Sequence, residues 1–318
     1  MTGLNEAFVV DRTTRDRLIA DHPSSSEILK PFLQGRDVKR WRIDFNDQYL
    51  IRIESSENKH HAWSGKKQSD AENVFAGTYP AIYEHFKPLR PQLKERYDQG
   101  HYYWELRSCE YWEEFTKRKI IYPNICRRNE FAWDEEGYYA NQKTFIIPEA
   151  SKHLLAIMNS AVWGWLFEML LAKLQNGFFE PSAVFLKDFP VPNVEPFQRK
   201  YLELMSDYLK YLARAKSHPK VNENSSNDDQ LVFGYFEQLL NGLVYEIFFA
   251  EDLHSNKINL FKRLEEDQPP VLAEIPEKQR FSRLKEIHER ISNNHHPIRG
   301  CLESLKSLEV VRIIEGEK

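Results

Sequence analysis

The amino-acid sequence predicts an α+β protein, with mixed strands and helices in its first part and a mainly helical C-terminal module. Residues 1–196 alternate short aromatic and β-branched runs with short helical patterns. Residues 197–318 instead repeat apolar residues at three- and four-residue steps. The stretch FFEPSAVFLKDFPVPNVEP before residue 197 contains four prolines, which favours a boundary. The sequence therefore predicts two domains, residues 1–196 and residues 197–318.

The strands of the first domain are predicted from runs of β-branched and aromatic residues bounded by Pro, Gly or Asp. These runs are QYLIRIE, KIIYPNI, FAWDEEGYYA and KTFIIP. The segment YPAIYEHFKPLRPQLKERYDQG has helical spacing, and its prolines Pro88 and Pro91 must break or kink that helix. Residues 151–176 carry the longest helical signal of this domain, and the pair Asn-Gly is predicted to end it. Large aromatic clusters are more often core than a base-stacking surface, so HYYWELRSCEYWEEF is predicted to be buried.

Four amphipathic helices are predicted in the second domain, from FQRKYLELMSDYLKYLARA, LVFGYFEQLLNGLVYEIFF, KINLFKRLEE and FSRLKEIHERISNN. Their apolar stripes and balanced charges favour packing against a partner domain or a DNA backbone over a catalytic surface.

The composition is that of a folded protein, with 41% hydrophobic and 29% charged residues and a net charge of -4. Three cysteines without C-x-x-C spacing favour neither a disulfide framework nor a cysteine zinc site, and they predict a reducing, cytoplasmic compartment. No uncharged apolar run of about 18 residues is present, so we expect no membrane span.

Common catalytic motifs are missing from the sequence. It contains no Gly-rich phosphate loop, no G-x-S-x-G and no H-E-x-x-H. The adjacent histidines His60/His61 and His295/His296 rarely give two ligands to one metal, and no metal site is predicted. A weak alternative is a metal-dependent nuclease in which Asp47 and Glu57 hold the metal and Lys59 orients the nucleophile.

Six segments, taken in order, resemble the TaqI-like C-terminal specificity domain. They are SSEILKPFLQGRDVKRW, YPAIYEHFKPLRPQLKER, YYWELRSCEYWEEFTKRKIIYPNI, GYYANQKTFII, LLAIMNSAVWGWLF and FLKDFPVPNV. That domain is the DNA target-recognition region of type IIG restriction-modification enzymes and related adenine-specific DNA methyltransferases. FEQLLNGLVYEIFFAEDLH and HPIRGCLESLKSLEVVRIIE are similar to the helical tail that follows it in those enzymes.

The resemblance implies a recognition module, cytoplasmic in a prokaryote, that is not itself an enzyme. The F-x-G-x-G-like loop for S-adenosylmethionine and the N-P-P-[YF] motif of the family's methyltransferase domain do not occur in this sequence. We therefore expect duplex DNA and a methyltransferase domain or subunit as partners. No cofactor is expected on this chain. S-adenosylmethionine, and Mg²⁺ where a nuclease is present, would belong to the catalytic domain of the phage-defence system.

The residues predicted to grip DNA phosphates lie mainly in ILKPFLQGRDVKRW, where Gly35 permits a tight turn. An exposed ion pair of Asp37 with Arg36 or Arg40 is the alternative for this segment. The predicted backbone contacts are Lys30, Arg36, Lys39, Arg40 and Lys119.

The residues predicted to read base edges lie between positions 119 and 143. Arginine offers a bidentate fork to guanine, and asparagine pairs with adenine in the major groove. An arginine in this stretch that instead pairs with Glu130 or Asp134 is the alternative. The predicted base contacts are Arg127, Arg128, Asn129, Asn141 and Lys143, and Gln175 and Asn176 are further plausible contacts. A protein-interaction scaffold with solvated basic patches is the other alternative function.

Overall fold

The computed structural model describes residues 2–217 and 227–316, and the chain folds into two compact units. Unit 1 comprises Met1–Asp37, Phe45–Arg118 and Asp134–Pro148, and unit 2 comprises Val38–Asp44, Lys119–Trp133 and Glu149–Lys318. The predicted α+β class with a helical C-terminal part is confirmed. The division differs from the predicted boundary after residue 196, because the helix Pro196–Ser217 packs against the helix Lys152–Met158 inside unit 2.

The strands are short and fall where the β-branched and aromatic runs predict most of them. They are β1 (Val9–Asp11), β2 (Leu29–Leu33), β3 (Val38–Lys39), β4 (Arg42–Ile43), β5 (Gln48–Ile51), β6 (Lys119–Pro123), β7 (Ala132–Asp134), β8 (Tyr139–Ala140) and β9 (Thr144–Pro148).

The α-helices up to residue 196 are short, whereas the two longest helices follow it. The helices are α1 (Asn5–Phe8), α2 (Arg12–Asp21), α3 (Ser25–Ile28), α4 (Gln68–Thr78), α5 (Pro80–Phe86), α6 (Arg90–Glu95), α7 (Lys152–Met158), α8 (Ala161–Leu170), α9 (Ala183–Leu186), α10 (Pro196–Ser217), α11 (Asn227–Phe248), α12 (Ala250–Ser255), α13 (Leu260–Asp267), α14 (Arg280–Ile291), α15 (Pro297–Leu305) and α16 (Glu309–Glu315).

Unit 1 is built on a four-stranded sheet with the strand order β1-β5-β2-β8. Strand β5 pairs antiparallel with β1 and β2, and β2 pairs parallel with β8. The two prolines of the segment after Tyr79 act as predicted, since a 3-10 turn over Lys87–Leu89 separates α5 from α6.

The aromatic cluster that follows α6 is mostly core, as predicted. Tyr102, Trp104 and Trp112 are each at most 2% exposed, and the Trp104 ring stacks on Phe75 at 4.9 Å between centroids. The buried carboxylate of Glu105 accepts hydrogen bonds from the backbone N–H groups of Ser56 and Tyr102 and from the indole N–H of Trp63. A buried charge needs such donors, so this carboxylate fixes the loops around the aromatic cluster.

Unit 2 is mainly helical and is centred on α10 and α11, which pack against each other. Strand β3 pairs antiparallel with β4, and β6 pairs with β7. The predicted long helix over residues 151–176 is instead two helices, α7 and α8, which break at Asn159 and Ser160. Ser160 caps α8, because its Oγ accepts a hydrogen bond from the backbone N–H of Trp163 at 3.4 Å.

The pair Asn176-Gly177, predicted to end that helix, forms a turn outside it. Asn176 has φ of 60° and Gly177 has φ of 73°, the left-handed conformation that Asn and Gly tolerate best. Leu174 donates its N–H to the carbonyl of Phe178 at 2.7 Å, and Phe179 exchanges backbone hydrogen bonds with Cys126. Residues 173–179 therefore form a hairpin, named here the ribbon loop, which is held against the end of β6.

Within residues 2–217 and 227–316, no helix combines the length and the apolar character that a bilayer span requires.

We predict that α11 tolerates added volume at one glycine and not at another. A Cβ on Gly242 would lie 2.5 Å from Cδ1 of Leu260 and 3.0 Å from Cδ1 of Leu305, both in the core, whereas a Cβ on Gly234 meets no atom within 4 Å. Gly242→Ala should lower the free energy of unfolding by about 1–3 kcal/mol through overpacking. The matched control Gly234→Ala should raise it by about 0.5–1 kcal/mol through helix propensity. Urea unfolding measures both changes. Equal changes in the two variants would contradict the close packing of Gly242 against Leu260 and Leu305.

Candidate nucleic-acid interface

In unit 1, the turn after β2 brings two predicted site residues together. A Cβ on Gly35 would lie 2.7 Å from the carbonyl oxygen of Lys143, so only glycine lets these two backbones approach so closely. Arg36 and Lys143 are both exposed, and the side chain of Arg36 is 76% exposed. Asn141 lies two residues from Lys143, and its Oδ1 accepts the Lys143 N–H at 2.9 Å. We name Arg36, Asn141 and Lys143 the Arg36 surface.

The aspartate beside Arg36 stabilises this turn. Asp37 is 2% exposed and accepts hydrogen bonds from the N–H of Gln34 at 2.7 Å and from Nδ2 of Asn46 at 2.8 Å. Its distance to Nε of Arg36 is 3.9 Å, which makes a weak exposed pair at most. The Arg36 guanidinium is therefore accessible to an anion.

Lys30 lies in unit 1 with two further cations, Arg52 and Lys59, that were not among the predicted DNA contacts. It pairs with Leu50 across β2 and β5. Partial burial lowers the pKa of the Lys30 ammonium, and the charges of Arg52 and Lys59 lower it further. Arg52 and Lys59 each lie 3.4 Å from the carboxylate of Glu54. These cations come from residues separated in the sequence, and only the strand pairing brings them together.

In unit 2, the tight β3–β4 hairpin holds the other cations of the ILKPFLQGRDVKRW segment. Arg40 has only 13% of its side chain exposed and forms an ion pair with Glu237; its guanidinium also donates to the carbonyl of Asn159. Burial lowers the pKa of Arg40, and the Glu237 carboxylate opposes that shift. Arg40 was predicted to contact DNA phosphates, and its geometry instead gives it a structural role.

The two cations next to Arg40 differ from it in exposure and partner. Arg42 makes two hydrogen bonds to the carboxylate of Asp44, at 2.8 and 3.2 Å. Lys39 is partly exposed, so its contact with a phosphate stays a prediction.

Two further predicted contacts are buried inside unit 2. Lys119 is fully buried in β6, and Asn129 is 5% exposed. Nδ2 of Asn129 donates to the carbonyls of Met158 at 2.9 Å and Ser160 at 2.8 Å. Since these two bonds use both hydrogens of the amide, the structure places Asn129 in the protein interior and not at a base edge. Every residue of β6 is buried, so the alternation of buried and exposed residues expected of a half-buried strand does not apply to Lys119.

Arg127 and Arg128 are both exposed, because the chain leaves β6 after Pro123 and is no longer a regular strand at these positions. The guanidinium carbon of Arg127 lies 4.9 Å from the ring centroid of Phe178, in the ribbon loop. Stacking of this kind holds the guanidinium plane while leaving its N–H edges available.

The ribbon loop presents polar side chains next to these arginines. Lys173, Gln175 and Asn176 are all exposed, and Lys173 forms an ion pair with Glu168. Lys173 was not predicted from the sequence, because the loop was interpreted as the end of a helix; the Asn-Gly pair, read as a hairpin turn, was the signal that could have found it. We name the exposed set the Arg127 surface, which comprises Arg127, Arg128, Lys173, Gln175 and Asn176.

The alternative nuclease residues do not form a metal site in the part of the chain that the structure describes. Asp47 is bound by Arg12 at 2.7 Å, and Lys59 pairs with Glu54. Among the described residues, no group of three His, Cys, Asp or Glu side chains is close enough to hold a metal ion.

The comparisons with known proteins give a family and similar solved structures. The sequence profile of the family described as the TaqI-like C-terminal specificity domain matches residues 30–191. The fold is similar to that in a structure of the type IIL restriction-modification enzyme MmeI in complex with DNA, with 12% identity and a TM-score of 0.47. This similarity covers 78% of this chain and 31% of that chain, so the chain spans less than a third of the length of that protein. No curated protein sequence matches.

We predict that Arg40 and Arg128 differ sharply in their effect on stability. Arg40→Ala leaves the partly buried carboxylate of Glu237 without its partner and should lower the free energy of unfolding by about 3 kcal/mol. The control Arg128→Ala removes an exposed side chain and should change it by less than about 0.5 kcal/mol. Urea unfolding of the two variants at pH 7 is the measurement. Equal free energies of unfolding for the two variants would contradict the structural role of Arg40.

Proposed function

The chain belongs to the family of TaqI-like C-terminal specificity domains, and from this membership we propose that it recognises a specific sequence in duplex DNA. In this proposal it is the target-recognition module of a restriction-modification enzyme. A recognition module has to grip phosphates, which positions it, and to contact base edges, which gives specificity. The observation that carries the proposal is that Arg127 and Arg128 are exposed, as are the amides of Gln175 and Asn176 in the ribbon loop, and that Arg127 stacks on Phe178 of that loop.

The Arg127 surface supplies the chemistry for base readout. Arginine makes two parallel hydrogen bonds to O6 and N7 of guanine, and Asn or Gln does the same with N6 and N7 of adenine. A two-stranded ribbon fits the width of the major groove of B-DNA. Arg127 is held against Phe178, which reduces the entropy lost when it binds. We therefore assign base contacts to Arg127, Arg128, Gln175 and Asn176.

The Arg36 surface, and Lys30 with its neighbours Arg52 and Lys59, supply the chemistry for phosphate contacts. Arg36 and Lys143 are exposed cations on two backbone segments that approach closely at Gly35. Lys30 lies where other positive charges lower the pKa of its ammonium, and a phosphate at that position would reverse this part of the shift. Such contacts release counterions and make binding strongly dependent on salt. Asn141 stays a predicted base contact next to Lys143.

We further propose that catalysis lies outside this chain. The partner is an adenine-N6 DNA methyltransferase domain or subunit of a type IIG or related phage-defence system. That partner would bind S-adenosylmethionine, and a nuclease in the same system would bind Mg²⁺. This separation of recognition from catalysis fits the chemistry, since an adenine must leave the duplex to be methylated. The recognition module then has only to position the target sequence relative to the methyltransferase.

Binding to duplex DNA is the test of the proposed function. In a gel-shift titration with duplexes selected from a random pool, the affinity should fall steeply with salt. A plot of the logarithm of the binding constant against the logarithm of the salt concentration should have a negative slope, with about one unit of slope for each phosphate contact. Arg127→Ala should cost about 1–3 kcal/mol on the selected sequence and relax specificity at one position. Arg36→Ala should weaken binding to all sequences and reduce the salt slope by about one.

The matched control is Lys87→Ala, which removes an exposed cation from the 3-10 turn between α5 and α6 and should leave affinity and selectivity unchanged. Supplied with S-adenosylmethionine, the purified chain should leave the bound DNA unmethylated. No binding at low ionic strength, or equal losses in all three variants, would contradict the proposal and favour a protein-interaction scaffold.

A further inference from the structure

Unit 1 contains a cleft that shares only Asn141 with the proposed DNA contacts. It has a volume of about 690 Å³ and lies between residues 107–115 and residues 141–148. The first stretch includes the 3-10 helix Trp112–Thr116, which packs along β9. Binding sites for small molecules usually have 300–1,000 Å³ and combine apolar and aromatic walls with a few polar groups. This cleft has the size and the composition of such a site.

One aromatic ring in the cleft is exposed, although most of its aromatic neighbours are buried. Tyr111 is 56% exposed, whereas Trp112 is 2% and Phe115 is 4% exposed. The ring of Tyr111 lies 6.1 Å from that of Phe115, tilted by 33°. A large aromatic surface left in water has a cost that stacking on a planar ligand removes.

Tyr111 lies beside Cys109 in the cleft. Burial, together with the nearby Cys109, raises the pKa of the Tyr111 hydroxyl. The backbone N–H of Cys109 donates in turn to Oδ1 of Asn58 at 2.8 Å. Packing against Phe115 limits the motion of the Tyr111 ring, so less entropy is lost when a ligand stacks on it.

The polar groups of the cleft include both donors and acceptors. Arg107 and the amide group of Asn141 supply N–H donors, while Glu110 and Glu114 supply carboxylate acceptors. Glu114 is paired with Lys117, with 2.9 Å between Oε1 and Nζ, so Glu110 is the carboxylate available to a ligand. A carboxylate acceptor of this kind favours a neutral ligand that carries an amine. Aromatic stacking, donors for ring nitrogens or carbonyls, and acceptors for an amine together match one edge and one face of a nucleobase.

We propose that this cleft binds one unstacked nucleobase with an exocyclic amine, namely adenine, cytosine or guanine. The base comes either from DNA, as an extruded nucleotide, or from a free nucleotide. The face of the base stacks on Tyr111, and its exocyclic amine donates to Glu110. Thymine and uracil lack that amine and leave the carboxylate without a donor. Only the DNA source of the base rests on the proposed function.

Alkylation of Cys109 gives a direct readout of occupancy. Cys126 and Cys301 are 3% and 8% exposed, whereas Cys109 is more accessible. Burial raises the pKa of the Cys109 thiol, so labelling with iodoacetamide is followed at pH 9 by mass spectrometry. Adenosine or cytidine at millimolar concentration should slow labelling at Cys109 at least threefold, and uridine should not. Equal rates with adenosine, cytidine and uridine would overturn the proposal.

Two variants separate stacking from general effects on the thiol. In Tyr111→Ala, adenosine should no longer slow the labelling of Cys109. The control Tyr97→Ala removes a tyrosine of unit 1 that is 100% exposed and lies outside the cleft. In this variant adenosine should still slow the labelling of Cys109 at least threefold. If protection by adenosine is lost in both variants, or in neither, the proposal is overturned.

Fluorescence of 2-aminopurine, an amine-bearing purine, distinguishes the two sources of the base. Quenching of an unpaired 2-aminopurine in duplex DNA, but not of the free nucleoside, assigns the cleft to an extruded base. Quenching of the free nucleoside as well, lost in Tyr111→Ala, assigns it to free nucleotides also. If DNA fails to shift in gels while the nucleoside still protects Cys109, only the DNA recognition function fails. If DNA binds and neither probe is quenched, only the cleft proposal fails.

Discussion

The break between α7 and α8 is the constraint on which unit 2 depends. Ending one helix and starting another inside a core frees backbone carbonyl and N–H groups that must find new partners. Nδ2 of Asn129 donates to the carbonyls on both sides of the break, those of Met158 and Ser160. Arg40 donates to the carbonyl of Asn159, and Oδ1 of Asn241 accepts the N–H of Ala161 at 2.9 Å. Side chains from three distant segments thus meet at one short turn.

This network also positions the exposed side chains proposed to read DNA. The side chain of Asn159 binds both the N–H and the carbonyl of Phe131, at 3.1 and 2.9 Å. The same carbonyl accepts the N–H of Trp41 at 2.9 Å. Asn129 and Phe131 are therefore fixed, and Arg127 and Arg128 immediately precede them. Neighbouring polar residues of this segment therefore have two roles. Asn129 faces inward and holds the segment in place, whereas Arg127 and Arg128 face outward and are available to a ligand.

The sequence predicted most of the elements and only part of the site. Strand and helix positions follow from local periodicity, so β5, β6, β9, α10 and α11 lie close to where the pattern puts them. Burial of a polar side chain depends on partners far away in the chain, so Asn129 and Arg40 could not be separated from exposed neighbours by sequence alone. The division into units escaped prediction for the same reason, because residues 38–44 join unit 2 through tertiary packing.

The variant Asn129→Asp tests the role of the break most directly, because it keeps the shape of the side chain and replaces its amide N–H₂ donor by an oxygen. That oxygen would face the carbonyls of Met158 and Ser160. A buried acceptor facing two acceptors should lower the free energy of unfolding by at least about 3 kcal/mol in urea at pH 7. Unchanged stability with an altered preference for DNA sequence would instead make Asn129 a base contact and contradict the structural role assigned to it.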